Sequence, residues 1–349
     1  MKGGCSRLWS RLIPNSCLRL VSGDAWLARG RGRCHHSGRG SDAGNRGQHI
    51  FVDQLTQFAR RAADQRIAAI AERVAAPLRV RVRGRRGVGC STVARALGRW
   101  FTVVESGADL DVQVIAEVVK PEDSASGAVL AVLNKADLTG FGGDGPMAAA
   151  SARCPEFSAL LGVPVLPMSG LLALAALDDP GAARWAALRA LAADPAPAAI
   201  PRELLAGVDL FGIALAVAAL RQGSGPKQVR ALWRRVSGVD EVVGRLVAAG
   251  APARYRRILD AVTELEALAV GDPAVDAFLN AGDTVIARMG AALEAAQACG
   301  LPPGPAAPLR RAQYWQRYTR SAPGGVHRAC GVDIARGALR LWAAGQEPQ

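Results

Sequence analysis

Residues 84–92 read GRRGVGCST, between a short alternating run and a helical-looking one. Gly84 and Gly89 have the spacing of the phosphate-binding pattern G-x-x-x-x-G-K-[ST], with Gly87 between them and Cys90, Ser91 and Thr92 following. Such a loop works through its backbone. Glycines let successive N–H groups converge on an oxyanion, at a helix N-terminus whose partial positive charge adds to the attraction. Ser91 stands where a hydroxyl would ligate magnesium. The lysine that would neutralise phosphate oxygens is replaced by Cys90. Arg85 and Arg86 lie beside it, although a guanidinium projecting from a loop is not equivalent to an embedded ammonium. A thiol at a helix N-terminus is expected to ionise more readily, so a reactive Cys90 is a minor further expectation.

A second cluster follows a continuous apolar run: Asn134-Lys135-Ala136-Asp137. A carboxylate can accept from both N1–H and the exocyclic amine of guanine, and adenine offers neither arrangement. The cluster resembles the guanine-recognition motif of P-loop GTPases, and the resemblance implies that Asn134 contacts the base edge and braces the phosphate loop and that the aliphatic stem of Lys135 covers one face of the ring. Asn and Lys occur four times each in this chain, so N-K-x-D would arise by composition roughly 0.003 times. A third element, Ser169-Gly170, ends the apolar run VPVLP, where a backbone N–H can donate to the guanine O6. The blander readings are a helix-entry turn capped by Asp137 and an ordinary Ser-Gly turn.

These residues need elements to position them. Residues 51–76 have apolar positions at helical spacing and predict one helix; 78–83 alternate as a strand; 92–99 suit a short helix. Residues 101–104 and 112–119 are strand-like, and 128–133 is the continuous apolar run of a strand buried on both faces. A helix around 147–161 and a strand at 163–167 follow. Alternating strands and helices predict an α/β domain with a mostly parallel sheet. From about residue 180 strand signals vanish and helices are expected at 182–193, 202–221, 226–236, 239–249, 253–269, 273–280, 283–299, 308–319 and 328–343. The expected division is a segment 1–47, an α/β domain 48–180 and a helical domain 181–349.

The order of phosphate loop, N-K-x-D and Ser-Gly, each after its own strand, resembles the P-loop GTPases of the translation-factor-related class, in particular the Era-like and dynamin-like groups. The resemblance covers roughly residues 78–178 and implies a three-layer domain that binds GTP or GDP with magnesium. It assigns nucleotide contacts to Gly84, Arg85, Gly87, Gly89, Cys90, Ser91, Thr92, Asn134, Lys135, Asp137, Ser169 and Gly170, with Ser91 on the metal. Besides the missing lysine, only 42 residues separate Ser91 from Asn134, and no D-x-x-G occurs among them. The elements that sense the γ-phosphate are therefore missing or shortened, which uncouples binding from hydrolysis. The loop also resembles that of partition-type ATPases, with Arg85 in place of their signature lysine; N-K-x-D argues against this minor alternative.

The net charge is +13, but residues 1–50 hold +7 of it, together with three of the seven Cys and three of the four His. No period runs through that stretch. It reads as disordered or as sequence upstream of the true start, with an Arg-rich targeting peptide as runner-up, and a chain beginning near Gln48 is expected to fold. The remaining cysteines are scattered, as in a reduced, cytosolic protein. Residues 157–177 are uncharged and long enough to span a membrane, but Pro164 and Pro167 favour a buried strand ending in a loop. Arg-rich stretches at 228–236, 253–259 and 310–320 carry Trp233, Tyr255, Trp315 and Tyr318. Helix packing is the simpler reading of these aromatics than stacking on nucleic acid. The first functional reading is a guanine-nucleotide-binding regulatory protein with weak or absent hydrolysis, a pseudo-GTPase partnered by another protein such as an active relative. The second is a nucleotide-free helical interaction scaffold. The third is an active, compact GTP hydrolase.

Overall fold

The computed structural model describes residues 46–123, 127–140, 145–194 and 199–345; the segment expected to be unstructured or a leader lies outside these, apart from Arg46 and Gly47. Alternating valines and arginines make Arg79–Arg83 a strand, β1. Its neighbours among the described residues are β2 (Thr102–Val103), β3 (Leu110–Ala116), β4 (Leu130–Asn134) and β5 (Val165–Met168), in the order β2-β1-β3-β4-β5. All pairings are parallel. Arg81 stands directly opposite Asp111 in the register and pairs with it at 2.5 Å, which holds the Asp111 carboxyl below its ordinary range. β4 is buried along its whole length, as its unbroken apolar run requires of a strand covered on both faces.

Helix α3 (Cys90–Leu97) leaves β1, and α4 (Pro146–Leu161) returns the chain from β4 to β5. α4 buries Ala150, Cys154 and Phe157 against Ile115, Ala131 and Leu133. α5 (Gly170–Leu177) forms where the sequence suggested only a loop, capped by the Ser169 hydroxyl. It joins α6 (Ala182–Ala193), α7 (Arg202–Leu205), α8 (Leu210–Arg221) and α9 (Pro226–Val236) in an apolar cluster around Leu172, Leu188, Ile213 and Trp233. α10 (Val239–Ala249) follows. The Trp233 indole stacks on Trp185 and its N–H donates to the Gly212 carbonyl at 2.8 Å.

Two expected helices are each broken in two. The stretch 51–76 is α1 (Arg46–Ala62) and α2 (Gln65–Ala75), separated by Ala63 with φ 51° and by Asp64, which caps α2. The stretch 202–221 is α7 and α8, separated at 206–209, where Asp209 caps α8. In both places an acidic residue offers the backbone N–H groups of a new helix a better partner than continuation of the old one.

The domain division also differs from the expected one. Arg79–Leu246 forms one compact unit, so α6 to α9 belong with the sheet. Residues 46–78 join the chain from Val247 onward in a second unit. That unit contains α1, α2, α11 (Ala251–Ala269), α12 (Pro273–Asn280), α13 (Gly282–Ala298), α14 (Pro308–Ser321) and α15 (Gly325–Ala344). Composition shifted at 180 because strands stop there, but strands stopping is not a boundary between cores. Phe51, Leu55, Ile67, Tyr255, Ala292 and Trp315 share one apolar core in this unit. Within it, Asp333 accepts from Tyr255 Oη at 2.8 Å and from the Arg288 guanidinium at 2.7 Å. Gly47 lies inside α1, donates its N–H to Glu294, and leaves no room for a Cβ beside Gly290. A chain cut at Gln48 would lose these contacts of Gly47 in the first turn of α1. No helix among the described residues is long and apolar enough to cross a membrane.

Candidate functional site

The loop after β1 begins against its neighbour: a Cβ on Gly84 would run into the Val114 carbonyl of β3. The chain leaves β1 outward to β2 and then returns to β3 on the other side, so β1 and β3 flank the point where strand order reverses. Open parallel sheets bind ligands outside the carboxyl ends of their strands at such a point. Gly87 (φ 89°) and Gly89 (φ 91°, ψ 33°) take left-handed backbone that side chains disfavour, and a Cβ on Gly89 would also collide with the Asn134 amide. Gly89 is the N-cap of α3, whose first N–H groups, from Cys90 onward, have no carbonyl four residues back to bond.

Asn134 joins the sequence motifs. It is the last residue of β4 and 3% exposed. Its Nδ2 donates to the Val88 carbonyl of the loop at 2.8 Å, and its Oδ1 accepts from Gly170 N–H at 2.9 Å. The amine end can only donate and the carbonyl end only accept, so both orientation and spacing are satisfied. One buried side chain thus ties the glycine loop, the N-K-x-D turn and the Ser169-Gly170 turn to the carboxyl ends of β1, β4 and β5. Thr92 lies against Gly170 and Ser91 is exposed on the first turn of α3.

Beyond Asn134 the backbone turns through Lys135 with φ 57°. Three non-glycine residues among those described have positive φ, and two of them, Lys135 and Glu117, directly follow adjacent strands β4 and β3. Such conformations cost about 1–3 kcal/mol each and concentrate at functional rims. Asp137, in the short 3-10 turn Ala136–Leu138, is mostly buried, and burial raises its pKa despite a hydrogen bond from Ser169 and the charge of Lys135. Ser169 donates its hydroxyl to Asp209 Oδ2 at 2.5 Å and accepts from Leu172 N–H. Asp209 therefore belongs to the same cluster. Its one signal in the sequence, an acidic residue before an apolar run, is the ordinary sign of a helix cap and does not point to a site.

Asp209 also accepts from Gly212 N–H at 2.6 Å, and burial followed by the nearby Asp137 charge pushes its pKa up to about 6. A carboxyl whose folded pKa lies above its unfolded value binds its proton first in the folded state. Stability therefore rises as pH falls from about 6 toward 4, and is lost as pH rises through 6. Urea unfolding of Asp209→Asn, which keeps the cap acceptor, should remove this contribution, on the order of 3 kcal/mol between those limits. An unchanged difference between pH 7.5 and pH 4.5 in the variant would show that Asp209 does not titrate in this window.

The charges near the loop are not arranged as the sequence suggested. Arg85 points away from the loop's mouth: Nε donates to Asp123 at 3.2 Å and Nη2 to the Ala116 carbonyl at 2.8 Å. Asp123 is fully buried and also accepts from Lys120 N–H at 2.9 Å. Arg85 is thus a strut under the segment after β3, not a substitute for the absent lysine. Its place in a partition-type loop is unsupported for the same reason. Arg85→Ala strands the Asp123 carboxylate and should destabilise the protein by about 3 kcal/mol. Urea melts at pH 7.5 check this, and a loss below about 0.5 kcal/mol would rule the strut out. The Cys90 thiol is half-buried beside Gly84, and burial raises its pKa. A backbone hydrogen bond of Cys90 opposes this less strongly, so the shift runs against the expected activation.

The aromatic residues of the Arg-rich stretches are committed to packing. Trp233, Tyr255 and Trp315 are buried, and Tyr318 shares a 2.8 Å hydrogen bond with His327 Nδ1. They offer no row of free ring faces to single-stranded nucleic acid. Among the described residues no three His, Cys, Asp or Glu side chains gather as a metal-binding group. A scan of protein-family models, a search of curated proteins and a search of solved structures each return no match to this chain.

Proposed function

We propose that this protein is a guanine-nucleotide-binding regulatory protein with weak or absent hydrolysis, built on a P-loop GTPase-like domain. The observation that carries this reading is the Asn134 side chain, which holds the Val88 carbonyl of the glycine loop and the Gly170 N–H of the third motif in one buried unit. Three motifs found separately in the sequence meet along the carboxyl edge of a parallel sheet, the first of them at its switch point between β1 and β3, where phosphate and base recognition would have to be arranged. The backbone favours a polyphosphate reading: Gly87 and Gly89 have positive φ, and the loop leads into the N-terminus of α3. The side chains fit less well, since Cys90 brings no charge and Arg85 is occupied. When bound, magnesium would neutralise phosphate oxygens; Ser91 would contribute its hydroxyl and the remaining ligands would be water and phosphate. Asp137 would accept from the base and Lys135 would cover it. A protein partner, first among them an active relative, and a cytoplasmic location belong to the same proposal.

The scaffold reading is favoured by one observation, the Arg85–Asp123 pair, which keeps the loop's ordered cation out of the phosphate site. Mass spectrometry of nucleotide released from protein purified without added ligand, with calorimetry against GDP and ADP, separates the two. Bound guanine nucleotide and a preference for GDP support the proposal. An empty site with no binding of either supports the scaffold.

A further inference from the structure

The cluster around Ser169 contains a residue that the motif pattern does not assign. Ser169 has a single hydroxyl proton and faces two carboxyl groups. It donates to Asp209 Oδ2 at 2.5 Å, while its oxygen also accepts from Leu172 N–H and so caps α5. Asp137 lies within hydrogen-bonding reach of the same hydroxyl and within electrostatic reach of Asp209. Asp209 is held rigidly: its other oxygen accepts from Gly212 N–H, and the Gly212 carbonyl accepts from the Trp233 indole. The arginines of the neighbouring helices are engaged elsewhere. Arg184 of α6 donates to the carbonyls of Pro180 and Glu203, and Arg230 of α9 to those of Ala176 and Leu177. Arg202 and Glu203 of α7 are exposed, and α5 carries no charged residue. The charges felt by the pair are therefore each other and Lys135, which acts on Asp137.

We propose that Asp209 is a positioning residue of the base pocket, which takes the Ser169 hydroxyl proton and so leaves the Asp137 carboxylate free to accept both donors of a guanine base. This rests on the reading of Asp137 given above. The physical reasoning is a count of protons. A guanine edge needs two acceptor oxygens at Asp137. If the Ser169 proton turned to Asp137, one of those oxygens would already be engaged and the carboxylate would be a weaker acceptor. Asp209, buried and fixed at the start of α8, prevents that.

The test compares Asp209→Asn, Ser169→Ala and the double variant. An Asn at this position keeps the cap acceptor for Gly212 but removes the acceptor facing Ser169 when its amine turns that way. In nucleotide-free protein, carboxyl carbon NMR titration should place the Asp137 midpoint lower in Asp209→Asn than in wild type. The drop should be smaller when Ser169→Ala is already present, because only relief of like-charge repulsion then remains. In calorimetry at pH 7.5, Asp209→Asn should bind GDP roughly three- to tenfold more weakly, with ADP binding unmoved. Loss of α8 capping would weaken both nucleotides alike, and charge relief without any role of the Ser169 proton would lower the Asp137 midpoint equally with and without Ser169→Ala; either result overturns the proposal. An unmoved midpoint overturns the role of Asp209. A lowered midpoint with wild-type protein that binds GDP and ADP equally overturns the base pocket itself. A lowered midpoint with selective loss of GDP affinity supports both.

Discussion

Replacing Cys90 by lysine is expected to tighten binding of GDP and GTP by roughly 10- to 150-fold, the value of one charge-assisted contact to phosphate. The glycine loop has Gly87 and Gly89 at positive φ and leads directly into the N-terminus of α3. What it lacks is positive charge at its centre. The Cys90 thiol is kept neutral by burial, and Arg85 is bound to Asp123 and to the Ala116 carbonyl. The Cys90→Lys substitution would add an ammonium at the half-exposed start of α3 without disturbing Arg85. Turnover should remain slow, because the interval from Ser91 to Asn134 contains no D-x-x-G to sense the γ-phosphate. Calorimetry gives the affinity, and phosphate release gives the rate. Unchanged affinity in Cys90→Lys would mean that the loop cradles no phosphate. Fast hydrolysis by the wild type would mean that another group supplies the charge; with Arg85 engaged, the exposed Arg86 would be the first to examine.

Asp137→Asn should abolish the preference for guanine, with GDP affinity falling roughly 100-fold or more and affinity for xanthosine diphosphate rising. An ionised carboxylate accepts from both guanine donors, whereas an amide accepts at one atom and donates at the other. The donor suits the extra carbonyl of xanthine. The substitution is also structurally mild. Burial already raises the Asp137 pKa, so removing the charge relieves a desolvation cost. Because recognition needs the ionised form, wild-type preference for GDP over xanthosine diphosphate should also decline in acid, and that pH dependence should vanish in the variant. Equal GDP affinity in the two proteins would refute the role given to Asp137.

Much of the sheet and the site was legible locally. The unbroken apolar run before Asn134 implied a strand covered on both faces, and β4 is buried throughout. Glycines spaced five apart after an alternating strand implied a tight loop entering a helix, and Gly89 is the left-handed N-cap of α3. Those features depend on a residue's own backbone freedom or on the side chains within a turn or two of it, so composition and spacing determine them. The partners were decided by the tertiary structure. Arg85 finds Asp123 at 38 residues' separation, and Ser169 finds Asp209 at 40. Periodicity says which face of an element is apolar, but not which element covers it or which polar group arrives with that cover. The same reason moved α6 to α9 into the sheet unit and carried α1 and α2 to the C-terminal helices. The Cys90 thiol completes the contrast: a helix N-terminus argues for easy ionisation, but the surrounding atoms desolvate the sulfur, and only packing sets how strongly.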